Sequence, residues 1–86
     1  MKTFYLHPVD GRKSFYRKAC VTVTKAGEKV LRSYTTDVCK ITADGQFVRM
    51  WNGYSATTMR HVNSFLDFYG LPGGGKAWWD NQPIRA

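Results

Sequence analysis

The hydrophobic period of this chain changes once, at Asn52-Gly53. Before that point apolar and polar residues alternate, most clearly where Ala19, Val21 and Val23 stand against Lys18, Thr22 and Thr24; after it Met59, Val62, Leu66 and Tyr69 recur at helical spacing, with Phe65 beside them. A period of two marks a strand with one buried face, and helical spacing marks an amphipathic helix. A chain of 86 residues that makes this change only once is confined to a sheet followed by a helix, each covering the apolar side of the other. Domains this small bury only about 60% of the surface their unfolded chains expose, so one core and one α+β domain spanning 1–86 is the expectation. It divides into a strand-rich part (1–54), a helix (55–70) and a glycine-hinged C-terminal segment (71–86).

Turn chemistry places the elements. Thr3 to Leu6 reads as a first strand, stopped by His7-Pro8-Val9-Asp10-Gly11, where Pro fixes φ and Asp-Gly supplies a turn. Phe15 to Thr24 is the second, and Lys29 to Thr36 returns after the turn Lys25-Ala26-Gly27-Glu28. Val38–Thr42 and Gln46–Trp51 flank Ala43-Asp44-Gly45, an Asp-Gly hairpin signal. Ser55 or Thr57 caps a helix over 56–69, Gly70 occupies the left-handed position after it, and Pro72 prevents its continuation. A short turn bearing Trp78 and Trp79 follows Gly73-Gly74-Gly75. The expected architecture is a four- to five-stranded antiparallel β-meander with one amphipathic helix packed on it.

Thirteen Lys and Arg against six Asp and Glu give a net charge of +7. The excess lies early: Lys2, Arg12, Lys13, Arg17, Lys18, Lys25, Lys29 and Arg32 face only Asp10 and Glu28, whereas Lys76 and Arg85 balance Asp67 and Asp80 near the end. Such a surface attracts acidic partners over long range. No apolar run reaches the ~20 residues of a membrane helix, and Met1 to Pro8 has no long apolar h-region. The expectation is a soluble cytoplasmic protein without membrane partners.

Residue types that carry catalysis are present without their usual spacing. Gly70-Leu71-Pro72-Gly73-Gly74-Gly75-Lys76 matches a phosphate-loop pattern, but Ala77 stands where a Mg²⁺-binding hydroxyl is required, and the segment follows a helix instead of opening one. Cys20 and Cys39, 19 apart, read as reduced, small hydrophobes; with His7 and His61 they lack zinc-module spacing. His61 lies beside the apolar stripe and reads as a hydrogen-bonded helix flank; a small enzyme built around it is the remote alternative. No enzyme, metal or cofactor is expected.

Two patterns point to binding. Phe47, Arg49 and Trp51 share one strand face, Phe15-Arg17 repeats the pairing and Tyr16-Lys18 supplies it on the opposite face. Flat rings that stack on bases beside cations that hold phosphates are the equipment of single-strand-binding sheets. The competing assignment puts Phe47 and Trp51 in a half-buried core. Trp78 and Trp79 form the second pattern, since adjacent indoles on a short turn cannot both point inward and Trp is enriched among interface hot spots; the competing assignment has both closing the bottom of the small core. The candidate contact residues are Arg12, Lys13, Tyr16, Arg17, Lys18, Arg32, Phe47, Arg49, Trp51, Lys76, Trp78 and Trp79.

The segment from Trp51 to Leu66, together with Asp10-Gly11-Arg12-Lys13-Ser14-Phe15-Tyr16 and Gly75-Lys76-Ala77-Trp78-Trp79, resembles the small proteins carried by phages, plasmids and integrated elements of Gram-positive bacteria. The resemblance spans most of the chain and brings no established active site with it. It implies an accessory protein that works by stoichiometric binding and occlusion of a nucleic-acid-handling host complex, such as an anti-CRISPR inhibitor of a Cas effector. The basic charge argues against DNA mimicry. The alternative is direct binding of DNA or RNA through Tyr16, Phe47, Arg49 and Trp51.

Overall fold

The computed structural model describes residues 2–6 and 18–84. Five strands, β1 (Lys2–Tyr5), β2 (Ala19–Val23), β3 (Lys29–Ser33), β4 (Thr36–Ile41) and β5 (Phe47–Arg49), form one antiparallel sheet in the order of the chain, followed by α1 (Ala56–Phe68) and α2 (Lys76–Asp80). The fold is the α+β meander that the single change of period requires.

Two hairpins share one local grammar. Thr24 N–H donates to the Glu28 carbonyl and Thr42 N–H to the Gln46 carbonyl, both at 2.8 Å, and Gly27 and Gly45 close the loops at φ 87° and 91°. In each, the threonine hydroxyl accepts the backbone N–H four residues on, Glu28 at 3.2 Å and Gln46 at 2.9 Å. Three-residue loops ending in a left-handed glycine match the twist of the strands they join.

The β3–β4 connection departs from the sequence expectation. The returning strand was expected to run to Thr36, but Ser33 already pairs with Thr36, and Tyr34 and Thr35 make the turn. Tyr34 adopts φ 56°, a conformation usually given to glycine. Its N–H donates to the Lys18 carbonyl at 2.8 Å and its ring lies 5.7 Å from that of His61, contacts that hold the turn in place. A register shift between Leu31 and Arg32 leaves Val38 as an extra residue in β4. The Val38 carbonyl then accepts from both Met50 and Trp51 N–H, at 2.9 and 3.2 Å, where the chain leaves β5.

Helix α1 is capped at both ends by its own sequence. Ser55 Oγ accepts from Thr58 N–H at 3.0 Å. At the other end Gly70, at φ 73°, donates to the Asp67 carbonyl at 3.0 Å and Leu71 to the Leu66 carbonyl at 2.8 Å. This Schellman arrangement satisfies the last carbonyls, and only a residue comfortable at positive φ can occupy its turning point.

The inner face of α1 buries Met59, Val62, Phe65 and Leu66 against Val21, Leu31, Cys39 and Ile41 of the sheet, and Trp79 from α2 completes the core. Fully burying a side chain such as Phe65 contributes about 1.5–3 kcal/mol. Because strand residues alternate, that face also carries Phe4, Ser33, Phe47 and Arg49, while Thr3, Thr22, Val30, Arg32 and Asp37 lie on the opposite one.

Candidate binding surfaces

Of the twelve residues expected to make contacts, Arg12, Lys13, Tyr16 and Arg17 lie outside the described residues. The structure separates the other eight. Phe47 and Arg49 lie on the helix-covered side of the sheet, where half-buried Phe47 and Trp51 pack on the core that holds Trp79, and the buried Arg49 is withdrawn from the stacking platform expected of Phe47, Arg49 and Trp51.

Arg49 is only 5% exposed. Its Nε donates to the Trp51 carbonyl at 2.8 Å, its Nη1 to the Trp79 carbonyl at 2.8 Å and its Nη2 to the Gly53 carbonyl at 3.4 Å, while the guanidinium carbon sits 4.5 Å from the Trp79 ring centroid. A planar fork that reaches three carbonyls and an indole is a task only arginine can perform. Trp79 is fully buried, and its Nε1 donates to the same Gly53 carbonyl at 2.7 Å. Gly53 lies on the Trp51 indole so closely that a Cβ would fall 2.3 Å from a ring carbon. Arg49, expected at a phosphate, and Trp79, one of the two indoles expected as an anchor, thus form a single internal brace.

Trp78 is the accessible member of the indole pair, half-buried with its ring 5.2 Å from that of Phe47. Lys76 is paired with Asp80 at 2.7 Å, and that hydrogen bond holds the ammonium above its usual pKa; Lys76 Nζ also lies 5.4 Å from the Tyr54 ring centroid. Of the glycines before α2, Gly73 lies against Asn63 and Gly74 against Trp78, with Gly74 N–H donating to Asn63 Oδ1 at 3.2 Å, while Gly75 stands in open space.

His61 and Cys39 are buried inside the fold. His61 is fully buried, its Nδ1 2.7 Å from Ser33 Oγ, which in turn lies 3.3 Å from Thr58 Oγ1. Cys20 and Cys39 are free and stand on opposite faces of the sheet, one half-buried and one buried, and burial pushes the Cys39 thiol far up. Among the described residues, no three His, Cys, Asp or Glu side chains gather as a metal site, and no helix is long and apolar enough to cross a membrane.

The face opposite α1 carries no covering element among the described residues. It holds an open hollow of about 360 Å³ lined by Thr3, Cys20, Thr22, Val30, Arg32 and Asp37. Arg32 Nε donates to Asp37 Oδ1 at 2.9 Å, which raises the guanidinium pKa further and fixes its plane along the wall. Lys40, on the same face, pairs with Glu28 at 3.2 Å. Lys18 lies exposed at the sheet's end, its Nζ 5.4 Å from the Tyr34 ring centroid.

A second surface escaped the sequence reading. Where α1 ends over β1, the rings of Phe4 and Phe68 approach to 5.4 Å, Phe68 and Tyr69 to 4.9 Å, and Tyr69 and the buried Phe65 to 5.4 Å. Phe68 is 60% exposed. Lys29 Nζ lies 5.4 Å from the Tyr69 ring centroid, and partial burial raises the Tyr69 hydroxyl pKa. Lys2 and Lys29 stand in one row of the sheet, both opposite Val23. The signal was present as aromatic residues at 65, 68 and 69, but the addition of Phe4 depends on strand order.

No curated protein and no solved structure matches the chain. The model of one family, described as a family of unknown function (DUF8033), matches residues 5–81, and the chain belongs to that family.

Proposed function

We propose that the protein is a non-enzymatic, cytoplasmic accessory protein that docks stoichiometrically on a nucleic-acid-handling host complex and occludes it. The observation that carries this reading is the sheet face that no helix covers among the described residues, with its hollow walled by Arg32 and Asp37. A sheet face that no described element covers is surface withheld from the core, and the chain's net charge of +7 favours an acidic partner surface. Internal use of His61, Cys39 and Arg49 supports binding over catalysis, since each is committed to packing or hydrogen bonds of the fold. The choice of a mobile-element protein acting on a host complex, a Cas effector being one such, rests on the sequence resemblance alone.

The test is capture of a partner from nuclease-treated host lysate by the wild-type protein and by Thr22→Glu and Val30→Glu, which place carboxylates on the open face. A protein partner that survives nuclease, binds at equal stoichiometry and is lost by both variants supports docking through this face. Equal capture by the variants, or loss of the partner on nuclease treatment, rejects it.

A further inference from the structure

We propose that the corner formed by Phe4, Phe68 and Tyr69 with Lys2 and Lys29 binds single-stranded nucleic acid. It lies on the helix-covered side of the sheet, opposite the docking face above, and goes beyond that reading. The rings form a ladder running from the core to solvent: Phe65 is fully buried, Tyr69 and Phe4 are half-buried and Phe68 is 60% exposed. Its inner rung is fixed by packing, so the outer ring is held in place before any ligand arrives. Preorganisation of this kind lowers the ordering cost of binding.

The chemistry favours a flexible polyanion with flat groups. An exposed phenyl ring stacks on any base, and losing one such contact weakens binding about tenfold or more. Lys2 and Lys29 are separated in their row by β2 alone, so their backbones stand about 10 Å apart on either side of it. Phosphates flanking a stacked base can reach both ammonium groups. A duplex keeps its bases stacked on one another and offers the ladder no free face, which is why the single strand is favoured.

The experiment is fluorescence anisotropy of a labelled oligothymidylate about 12 nucleotides long, with a duplex of equal length as comparison, between about 50 and 200 mM salt. Wild-type protein binds the single strand more tightly than the duplex. Phe68→Ala weakens this binding about tenfold, Phe68→Tyr restores it, and both variants melt with the wild type because the ring is mostly exposed. Lys2→Gln with Lys29→Gln lowers the salt slope by about 1.4, the value for two phosphate contacts on a single strand. Absence of salt-sensitive oligonucleotide binding by wild type overturns the proposal and leaves the docking reading standing, as does binding indifferent to Phe68→Ala. A Phe68→Ala variant that loses a nuclease-resistant protein partner, where wild type binds no oligonucleotide, overturns it in favour of a protein contact at this corner.

Discussion

The guanidinium of Arg49 lies 4.5 Å from the centroid of the Trp79 indole and donates to the carbonyl of the same residue at 2.8 Å, so one side chain holds both the ring and the backbone of α2. Three carbonyls accept from it, of which those of Gly53 and Trp79 have a second donor in Trp79 Nε1 and Gln82 N–H. Arg49→Met keeps most of the volume and leaves those acceptors without it. Urea unfolding is expected to show a loss of about 2–4 kcal/mol at unchanged m-value, from charge-assisted hydrogen bonds and desolvated carbonyls together. Arg49→Lys recovers only part of the loss, because an ammonium lacks the planar fork.

The two adjacent tryptophans separate in the same assay. Trp79→Ala empties a fully buried site and is expected to cost about 3–5 kcal/mol. Trp78→Ala removes a half-buried ring resting on Phe47 and costs less than half as much. Equal losses would show that the pair shares its burial.

How much of this was legible beforehand depends on the range of each interaction. The hairpins closed by Gly27 and Gly45, and the stop at Gly70, are written in residues that sit at the turn itself. The β3–β4 turn is not, since Ser33-Tyr34-Thr35-Thr36 contains no Gly, Asn or Pro and Tyr34 is held at positive φ by Lys18 and His61 from elsewhere. Alternation placed Phe47 and Arg49 on one face correctly but does not say which face a helix will cover. That choice moved Arg49 from surface to interior and took the cation out of the expected nucleic-acid platform. The Phe4–Phe68 contact needs both the strand order and the seat of α1, and neither is local.

Ser33 and His61 form a buried polar pair, so their removal is expected to read as lost stability. Ser33→Ala takes away the 2.7 Å contact to Nδ1 and is expected to cost about 1–2 kcal/mol; His61→Ala adds a cavity and costs about 2–4 kcal/mol. Thermal melts of both variants check this. A His61→Ala variant that melts with the wild type would return the histidine to consideration as a functional group.

The two thiols should differ in reactivity. Iodoacetamide at neutral pH is expected to label Cys20 in the folded protein and Cys39 only after denaturation, as mass spectrometry of the alkylated chain will show. Burial raises the Cys39 pKa, so above about pH 8.5 the unfolded chain loses a proton that the folded one keeps. Stability therefore falls as pH rises through that range, by up to about 1.4 kcal/mol per pH unit from this group. Cys39→Ala, though less stable at neutral pH, should show a shallower alkaline decline by that amount.

From β2 to β5, strands that follow one another in the sheet as they do in the chain pair across short loops, and short loops close fast. The meander can zip from either glycine hairpin without waiting for distant segments. Longer spans close when α1 and α2 dock on the sheet, among them those from Trp79 to Arg49 and Gly53, 30 and 26 residues apart. A brace that forms late in folding contributes little to the rate of assembly and most of its energy to the barrier against opening. The Arg49–Trp79 contact thus acts on the lifetime of the native state, and its loss should show chiefly in the unfolding limb of a chevron plot.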